Sequence, residues 1–391
     1  SMDKKNLLII HGGAPTAVIN ASLYGAVQEA KRHAEIGHIY GAHGGSLAAA
    51  AGRFIDLGAV PEDALALLPQ SPSSAIGTSR DCLAPEDYTA IAQSLSAHNI
   101  GYVCYNGGNG SMDACGKLRA ACDALGLDVT VVGIPKTMDN DIAVTDHAPG
   151  YGSAARYMAA SVAEVCCDVK GLPIHVVVIE AMGRNAGWVT AASALAAESG
   201  TGGPDLIYLP ERPFDEARFL ADVQELITRK GCGVVVASEG LRDADGKPIV
   251  EPVMTVGRAT YFGDVCTHLA NLIIKKLGYK ARGEKPGLLG RASIAWQSPS
   301  DREEAILAGR EAVKAAVAGK GDVMVGFERE PGAEYKVRPI LIPLAQVMLT
   351  EKKLPDAFTN EKGNGVTPEF IAWCRPLVGA LPRFVSFEKE C

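Results

Sequence analysis

Val129-Thr130-Val131-Val132-Gly133-Ile134-Pro135-Lys136-Thr137-Met138-Asp139-Asn140-Asp141 is the stretch on which the fold turns. Its first half is a short run of apolar, mostly β-branched residues, which reads as a buried strand of a parallel sheet. Its second half carries a Lys, a Thr and two acids at the carboxyl end of that strand. In an open α/β sheet this is the edge at which ligands bind. Asp139 and Asp141 are two residues apart, so an extended segment points both the same way. One can then act as a base while the other orients a partner or holds a metal.

Upstream, Asn106-Gly107-Gly108-Asn109-Gly110-Ser111 follows the apolar run 102–105 and precedes a helical pattern. A Gly-rich turn from strand into helix exposes backbone N–H groups and a helix N-terminus, which suits phosphate. Gly108, Gly110 and Ser111 are therefore candidate contacts to a phosphoryl donor. A phosphate cradle beside a carboxylate base is the equipment of phosphoryl transfer.

The same alternation continues outward. Strands are expected at 7–10, 39–42, 174–180, 206–209, 234–238 and 323–327. Helices are expected at 18–34, 151–169, 186–198, 214–230, 261–277 and 301–318. This order implies parallel sheets with helices on both faces. Further chemistry falls at strand ends: His11-Gly12-Gly13-Ala14-Pro15-Thr16, Gly77-Thr78-Ser79-Arg80, Met182-Gly183-Arg184 and Glu239. Each alone is weak, since a lone Arg is usually a surface residue and a lone Glu usually a solvated cap. Together they gather glycine turns, cations and acids at one edge.

With 391 residues the chain has room for two or three domains. Its net charge of −7 and lack of a basic block exclude a typical nucleic-acid binder. No apolar stretch approaches the ~20 residues of a membrane span. The opening Ser1-Met2 reads as a cloning remnant, with no signal peptide expected. Ten Cys include no C-x-x-C pair. Those in apolar runs (Cys104, Cys115, Cys232, Cys266) are expected to be small buried residues of a reducing compartment, and Cys166-Cys167 to be helix packing.

Taken in order, Gly107-Gly108-Asn109-Gly110-Ser111, Pro135-Lys136-Thr137-Met138-Asp139-Asn140-Asp141, Met182-Gly183-Arg184 and Glu239 resemble the signature of the phosphofructokinase family. The resemblance runs over roughly residues 5 to 330. Residues 15–20 and 145–150 resemble the branch that mostly uses pyrophosphate. The resemblance implies an α/β fold of two doubly wound Rossmann-like domains with parallel sheets and an active site between them. Residues 1–150, completed by 293–330, would bind the donor, 151–292 would bind the sugar, and 331–391 would form an irregular C-terminal extension.

The implied reaction moves a phosphoryl group from pyrophosphate or ATP to the 1-hydroxyl of fructose 6-phosphate, giving fructose 1,6-bisphosphate with Mg²⁺. By resemblance, Asp139 is the base and Lys136 stabilises the transferring group. Thr137 and Asp141 orient the sugar, which Met182, Gly183, Arg184 and Glu239 hold. Gly13 and Arg80 meet the donor phosphates, and Arg282 and Arg291 the 6-phosphate, with Arg282 reaching a neighbouring subunit's site. A cytoplasmic glycolytic homodimer or homotetramer is implied, with no nucleic-acid or membrane partner.

Three positions depart from the pattern. Asn109 replaces the family's usual Asp, leaving an uncharged metal ligand. Gly110 replaces the Asp that blocks ATP in pyrophosphate enzymes, which keeps both donors open. His175, Ile294 and Ala295 stand where basic residues are common, so another sugar phosphate or a polyol remains an alternative acceptor. A non-catalytic regulatory subunit of the same fold is a further alternative, and retention of Lys136, Asp139 and Asp141 argues against it. A dinucleotide oxidoreductase lacks its G-x-G-x-x-G turn here.

Overall fold

Seven strands build the first sheet of the computed structural model, which describes residues 3–257, 259–348 and 350–387. Ser1, Met2 and Cys391 lie outside these residues. In chain order the strands of all the sheets are β1 (Lys5–His11), β2 (Ile36–Ala42), β3 (Phe54–Asp56), β4 (Ile100–Gly107), β5 (Thr130–Pro135), β6 (Val176–Ala181), β7 (Leu206–Tyr208), β8 (Gly233–Ser238), β9 (Pro252–Val256), β10 (Ala259–Phe262), β11 (Ala281–Glu284), β12 (Val323–Arg329) and β13 (Val337–Pro343). The large sheet has the order β13-β12-β5-β4-β1-β2-β3, and a second has the order β11-β6-β8-β7. All pairs are parallel except the edge pairs β2–β3 and β12–β13 and the separate β9–β10 ribbon.

The chain divides into two compact units, one of residues 1–152 with 291–352 and one of 153–290 with 353–391. In the first, side chains alternate between the sheet's two faces as strand geometry dictates. Leu8 and Ile10 pack with the helices Pro85–Ala97 and Asn109–Ala124, while Leu7 and Ile9 pack with Ile19–Ala30 and Pro299–Val317. Those last two helices, almost 300 residues apart in sequence, cross at very close range. A Cβ on Gly25 would lie 2.0 Å from the Ile306 carbonyl oxygen, and one on Gly309 would lie 1.9 Å from that of Ser22. Only glycine permits this approach. Ser298 starts the second helix by accepting the Asp301 N–H at 3.2 Å, with Pro299 at its first turn.

In the second unit Val176, Val178, Val235 and Ala237 share a face with the helices Glu216–Lys230 and Val265–Leu272. Val177, Ile179, Val234 and Val236 are buried on the other.

Several expectations are corrected here. The helix expected over 261–277 begins at Val265, because Tyr261 and Phe262 close β10, and it ends in a π-helical turn at Ile273–Leu277. The helix expected over 186–198 is α-helical at Trp188–Ala192 and 3₁₀ at Ser193–Ser199. The stretch 331–391 is not one irregular extension. It supplies the edge strand β13 to the first unit and the helix Pro368–Val378 to the second. Cys104, Cys115, Cys232 and Cys266 are all buried, as expected, and Cys104, Cys115 and Cys266 are free thiols.

Candidate active site

In the large sheet β1 has β2 on one side and β4 on the other. The connections that leave β1 toward β2 and β4 toward β5 therefore run in opposite directions, the arrangement at which open α/β sheets bind ligands. His11 is in register with Asn106 at that point. The Gly12 N–H reaches the Asn106 carbonyl at 2.9 Å. Beyond it, the Gly13 N–H donates to the Ser79 carbonyl at 2.9 Å and the Thr78 hydroxyl to the Gly13 carbonyl at 2.8 Å. The loop bearing Arg80 is thereby closed onto the glycine turn. The helix Asn109–Ala124 starts beside it, with Gly108 as its N-cap. The Ser111 hydroxyl is packed under the turn, where a Cβ on Gly12 would stand 2.4 Å from it. A Cβ on Gly110 would meet nothing within 4 Å.

Lys136 directly follows β5 at the same edge. Its N–H donates to the Gly107 carbonyl at 3.0 Å and its ammonium to the Ala14 carbonyl. The side chain is 6% exposed, and its Nζ lies 3.2 Å from where a Gly13 Cβ would be. Burial, with the nearby charge of Arg80, lowers its pKa to about 8, against the opposing pull of Asp139 and Asp141; Arg291 adds to the lowering. Arg80, Lys136, Asp139, Asp141 and Arg291 are thus one electrostatic group, with Gly13 against the Lys136 ammonium. An anionic phosphoryl group is the ligand that would stabilise an ammonium whose charge burial disfavours.

The loop after Lys136 is held with unusual care. The Thr137 hydroxyl donates to Asp141 Oδ1 at 3.0 Å and accepts the Asp139 N–H at 3.0 Å. One hydroxyl thereby spaces both acids. Asn140 between them has φ 54 and a buried amide with neither polar atom hydrogen-bonded, a strained arrangement of the kind found at functional sites. The Thr137 N–H donates to the Pro149 carbonyl at 3.0 Å, and Gly150, at φ 110, donates its N–H to Asp301 Oδ1 at 3.0 Å. His147, Glu304 and Tyr335 form a buried hydrogen-bonded cluster behind it, His147 to Glu304 at 2.5 Å and Tyr335 to Glu304 at 2.6 Å.

Sequence reasoning missed Lys352. Its N–H donates to the Asp141 carbonyl at 2.8 Å, and its ammonium to those of Thr145 and Asp146 at 2.9 and 3.0 Å. Burial lowers its pKa to about 8. No local pattern marks it, since it lies over 200 residues away in a stretch without periodicity.

In the second unit β6 and β8 end side by side, Ala181 in register with Ser238. The Glu239 N–H donates to the Ala181 carbonyl at 2.8 Å, and Glu239 Oε1 accepts the Gly183 N–H at 3.2 Å. Met182, Gly183 and Glu239 are therefore one assembly, and the exposed Arg184 packs its stem beside Gly240. Arg282 is not part of it. It pairs with Val177, four residues before the end of β6, and its exposed guanidinium lies 3.0 Å from Glu284. His175 is half-buried, and Ile294 and Ala295 are exposed.

For Mg²⁺ the chain offers oxygen sparingly. Among the described residues no three His, Cys, Asp or Glu side chains converge. Asn109 donates its Nδ2 to the Asp141 carbonyl at 3.1 Å, which leaves its buried Oδ1 as an unsatisfied acceptor. One hard carbonyl oxygen beside a phosphate turn fits an ion that brings most of its ligands as water and donor oxygens.

The family model described as phosphofructokinase matches residues 6–316. A pyrophosphate–fructose 6-phosphate 1-phosphotransferase of Xanthomonas campestris pv. campestris is 37% identical, covering 99% of this chain and 97% of that one. A sulfofructose kinase of Alkalicoccus urumqiensis is 31% identical over 90% of this chain and 91% of its own. The crystal structure of a pyrophosphate-dependent phosphofructokinase from Nitrosospira multiformis superimposes with a TM-score of 0.89 at 34% identity, over 98% of this chain and 95% of that one.

Proposed function

The chain belongs to the phosphofructokinase family, and from that premise we propose that it transfers a phosphoryl group from pyrophosphate to the 1-hydroxyl of fructose 6-phosphate. The observation that carries this reading is the buried ammonium of Lys136, placed among the Gly13 turn, Arg80 and the acids Asp139 and Asp141. Asp139 takes the proton of the attacking hydroxyl. Thr137, which spaces Asp139 and Asp141, orients the sugar with Asp141. Lys136 and Arg80 carry the negative charge that grows on the transferred group and on the departing phosphate.

Met182, Gly183, Arg184 and Glu239 are the sugar's contacts. Arg291, and Arg282 from a neighbouring subunit, take its 6-phosphate. Asn109 Oδ1 is the protein ligand to Mg²⁺, which neutralises donor charge when bound. Gly108, Gly110 and Ser111 line the donor turn. A homodimer or homotetramer acting in cytoplasmic glycolysis completes the reading.

The full-length relatives named for pyrophosphate favour that donor. The empty space at Gly110 favours ATP as a second donor. A relative named as a sulfofructose kinase, together with the exposed, uncharged Ile294 and Ala295, favours testing acceptors other than fructose 6-phosphate.

The deciding experiment assays pyrophosphate and ATP against a panel of sugars, sugar phosphates and polyols, with Asp139→Asn in parallel. Pyrophosphate with fructose 6-phosphate should give the highest kcat/KM, and the variant should lose about 10²–10⁴-fold in turnover while still binding donor. Turnover with ATP alone would replace the donor, and no turnover with any pair would mean a non-catalytic protein.

A further inference from the structure

Behind the donor turn lies a buried polar relay that touches none of the reacting groups. His11, fully buried at the end of β1, has Nδ1 2.7 Å from Ser74 Oγ and Nε2 3.3 Å from Asn106 Nδ2. Asn106 Nδ2 also donates to the Ile19 carbonyl at 3.3 Å, which identifies that atom as the amide nitrogen. Nε2 therefore accepts, Nδ1 carries the proton, and the ring donates it to Ser74. Burial first, and the charge of Lys136 second, hold the ring's pKa down at about 3, so it stays neutral.

Asn20 tethers the same loop. Its Oδ1 accepts the Ala75 N–H at 2.8 Å and its Nδ2 donates to the Ser71 carbonyl at 2.9 Å. The loop needs such holds. Ser73 sits at φ 62, a conformation a non-glycine residue keeps only when its surroundings enforce it. Within the loop itself the backbone bond is Gly77 N–H to Ser74 carbonyl, at 3.2 Å. A few residues on, Thr78 and Ser79 close over Gly13, and Arg80 follows.

We propose that His11 is a positioning residue for the phosphoryl donor: its bond to Ser74, backed by Asn106, fixes the 71–80 loop so that Gly13 and Arg80 meet the donor together. This rests on the assignment of Gly13 and Arg80 as donor contacts. Three variants separate the bonds. His11→Asn keeps a donor near Nδ1 and loses the Asn106 contact. His11→Gln keeps an acceptor near Nε2 and loses Ser74. Ser74→Ala removes only a hydroxyl, at a partly exposed site where the fold is safe.

Binding of magnesium pyrophosphate is measured by calorimetry, alongside kcat, both KM values, and the rate at which trypsin cleaves after Arg80 in the ligand-free protein. Ser74→Ala and His11→Gln should each weaken pyrophosphate about fivefold, the worth of one neutral hydrogen bond. The double variant should be no worse than either single one. His11→Asn should stay near wild type. Acceptor KM and kcat should hold, and cleavage after Arg80 should quicken by a similar factor in Ser74→Ala and His11→Gln. Unchanged pyrophosphate affinity in Ser74→Ala, additive losses, or a fall in kcat at constant donor KM would overturn the proposal. If the wild type binds neither pyrophosphate nor ATP, the functional assignment fails, and the tryptic rate decides the tether by itself: equal rates in wild type and Ser74→Ala refute it.

Discussion

Replacing Lys136 with Met should give a more stable and nearly inactive protein. Lowering the ammonium from its ordinary 10.5 to about 8 corresponds to roughly 3 kcal/mol, at ~1.4 kcal/mol for each pH unit. That is the cost the free protein bears to keep a charge buried. Met fills a similar volume and bears none of it, but loses the bond to the Ala14 carbonyl, worth about 1 kcal/mol. The variant should therefore gain about 2 kcal/mol at pH 7.

The pH dependence gives a sharper signature. Below pH 8 the Lys is protonated both folded and unfolded, and the full cost is felt. Between pH 8 and 10.5 the unfolded chain holds a proton that the folded one has released, so stability rises with pH. The Met variant has no such rise, so its advantage should shrink through that window and reverse by about 1 kcal/mol near its top, where only the lost hydrogen bond remains. Denaturant unfolding of both proteins at pH 7, 8.5 and 10 measures this. Lys352, also lowered to about 8, is present in both and cancels in the difference. Turnover should fall about 10²–10³-fold, because the charge acts on the transition state. Parallel stability curves with a constant gap would refute a charged, buried Lys136. A rise in the donor KM with intact kcat would refute its catalytic role.

Gly110→Asp should suppress any ATP-driven activity and spare the pyrophosphate reaction, since the side chain enters open space and repels a third phosphate; equal loss with both donors, in paired assays, would mean a deformed turn. Gly150→Ala should cost about 2–4 kcal/mol and most of the activity, because its Cβ would stand 2.6 Å from the Thr137 carbonyl at a φ of 110; thermal melts and kcat report both. Lys352→Met should leave stability at pH 7 within about 1 kcal/mol, the lost bonds to Thr145 and Asp146 offsetting the desolvation relieved, while turnover drops roughly tenfold as the 139–146 loop loosens. Unchanged kcat would reduce Lys352 to packing.

The candidate-site segments could be picked out in the sequence because a motif at a strand end is local. Gly108 to Ser111 and Lys136 to Asp141 each follow an apolar run, and a parallel sheet delivers such runs to one edge whatever the rest of the chain does. Short strands without an apolar run were not legible: Ala-Arg-Gly-Glu of β11 and Phe-Ile-Asp of β3 are strands because a neighbour's backbone is there to pair with. Nor could the sequence tell that Arg282 sits well back from the end of β6, since register belongs to the pairing and not to the segment. The same reason hid what holds the site. Lys352 on the Asp141–Asp146 backbone, His11 on Ser74, Asp301 on Gly150 and the crossing at Gly25 and Gly309 join residues from 63 to 284 positions apart. Periodicity reports which face a residue takes within its own element. Which distant group meets it there is decided only when the sheet order brings the two elements together.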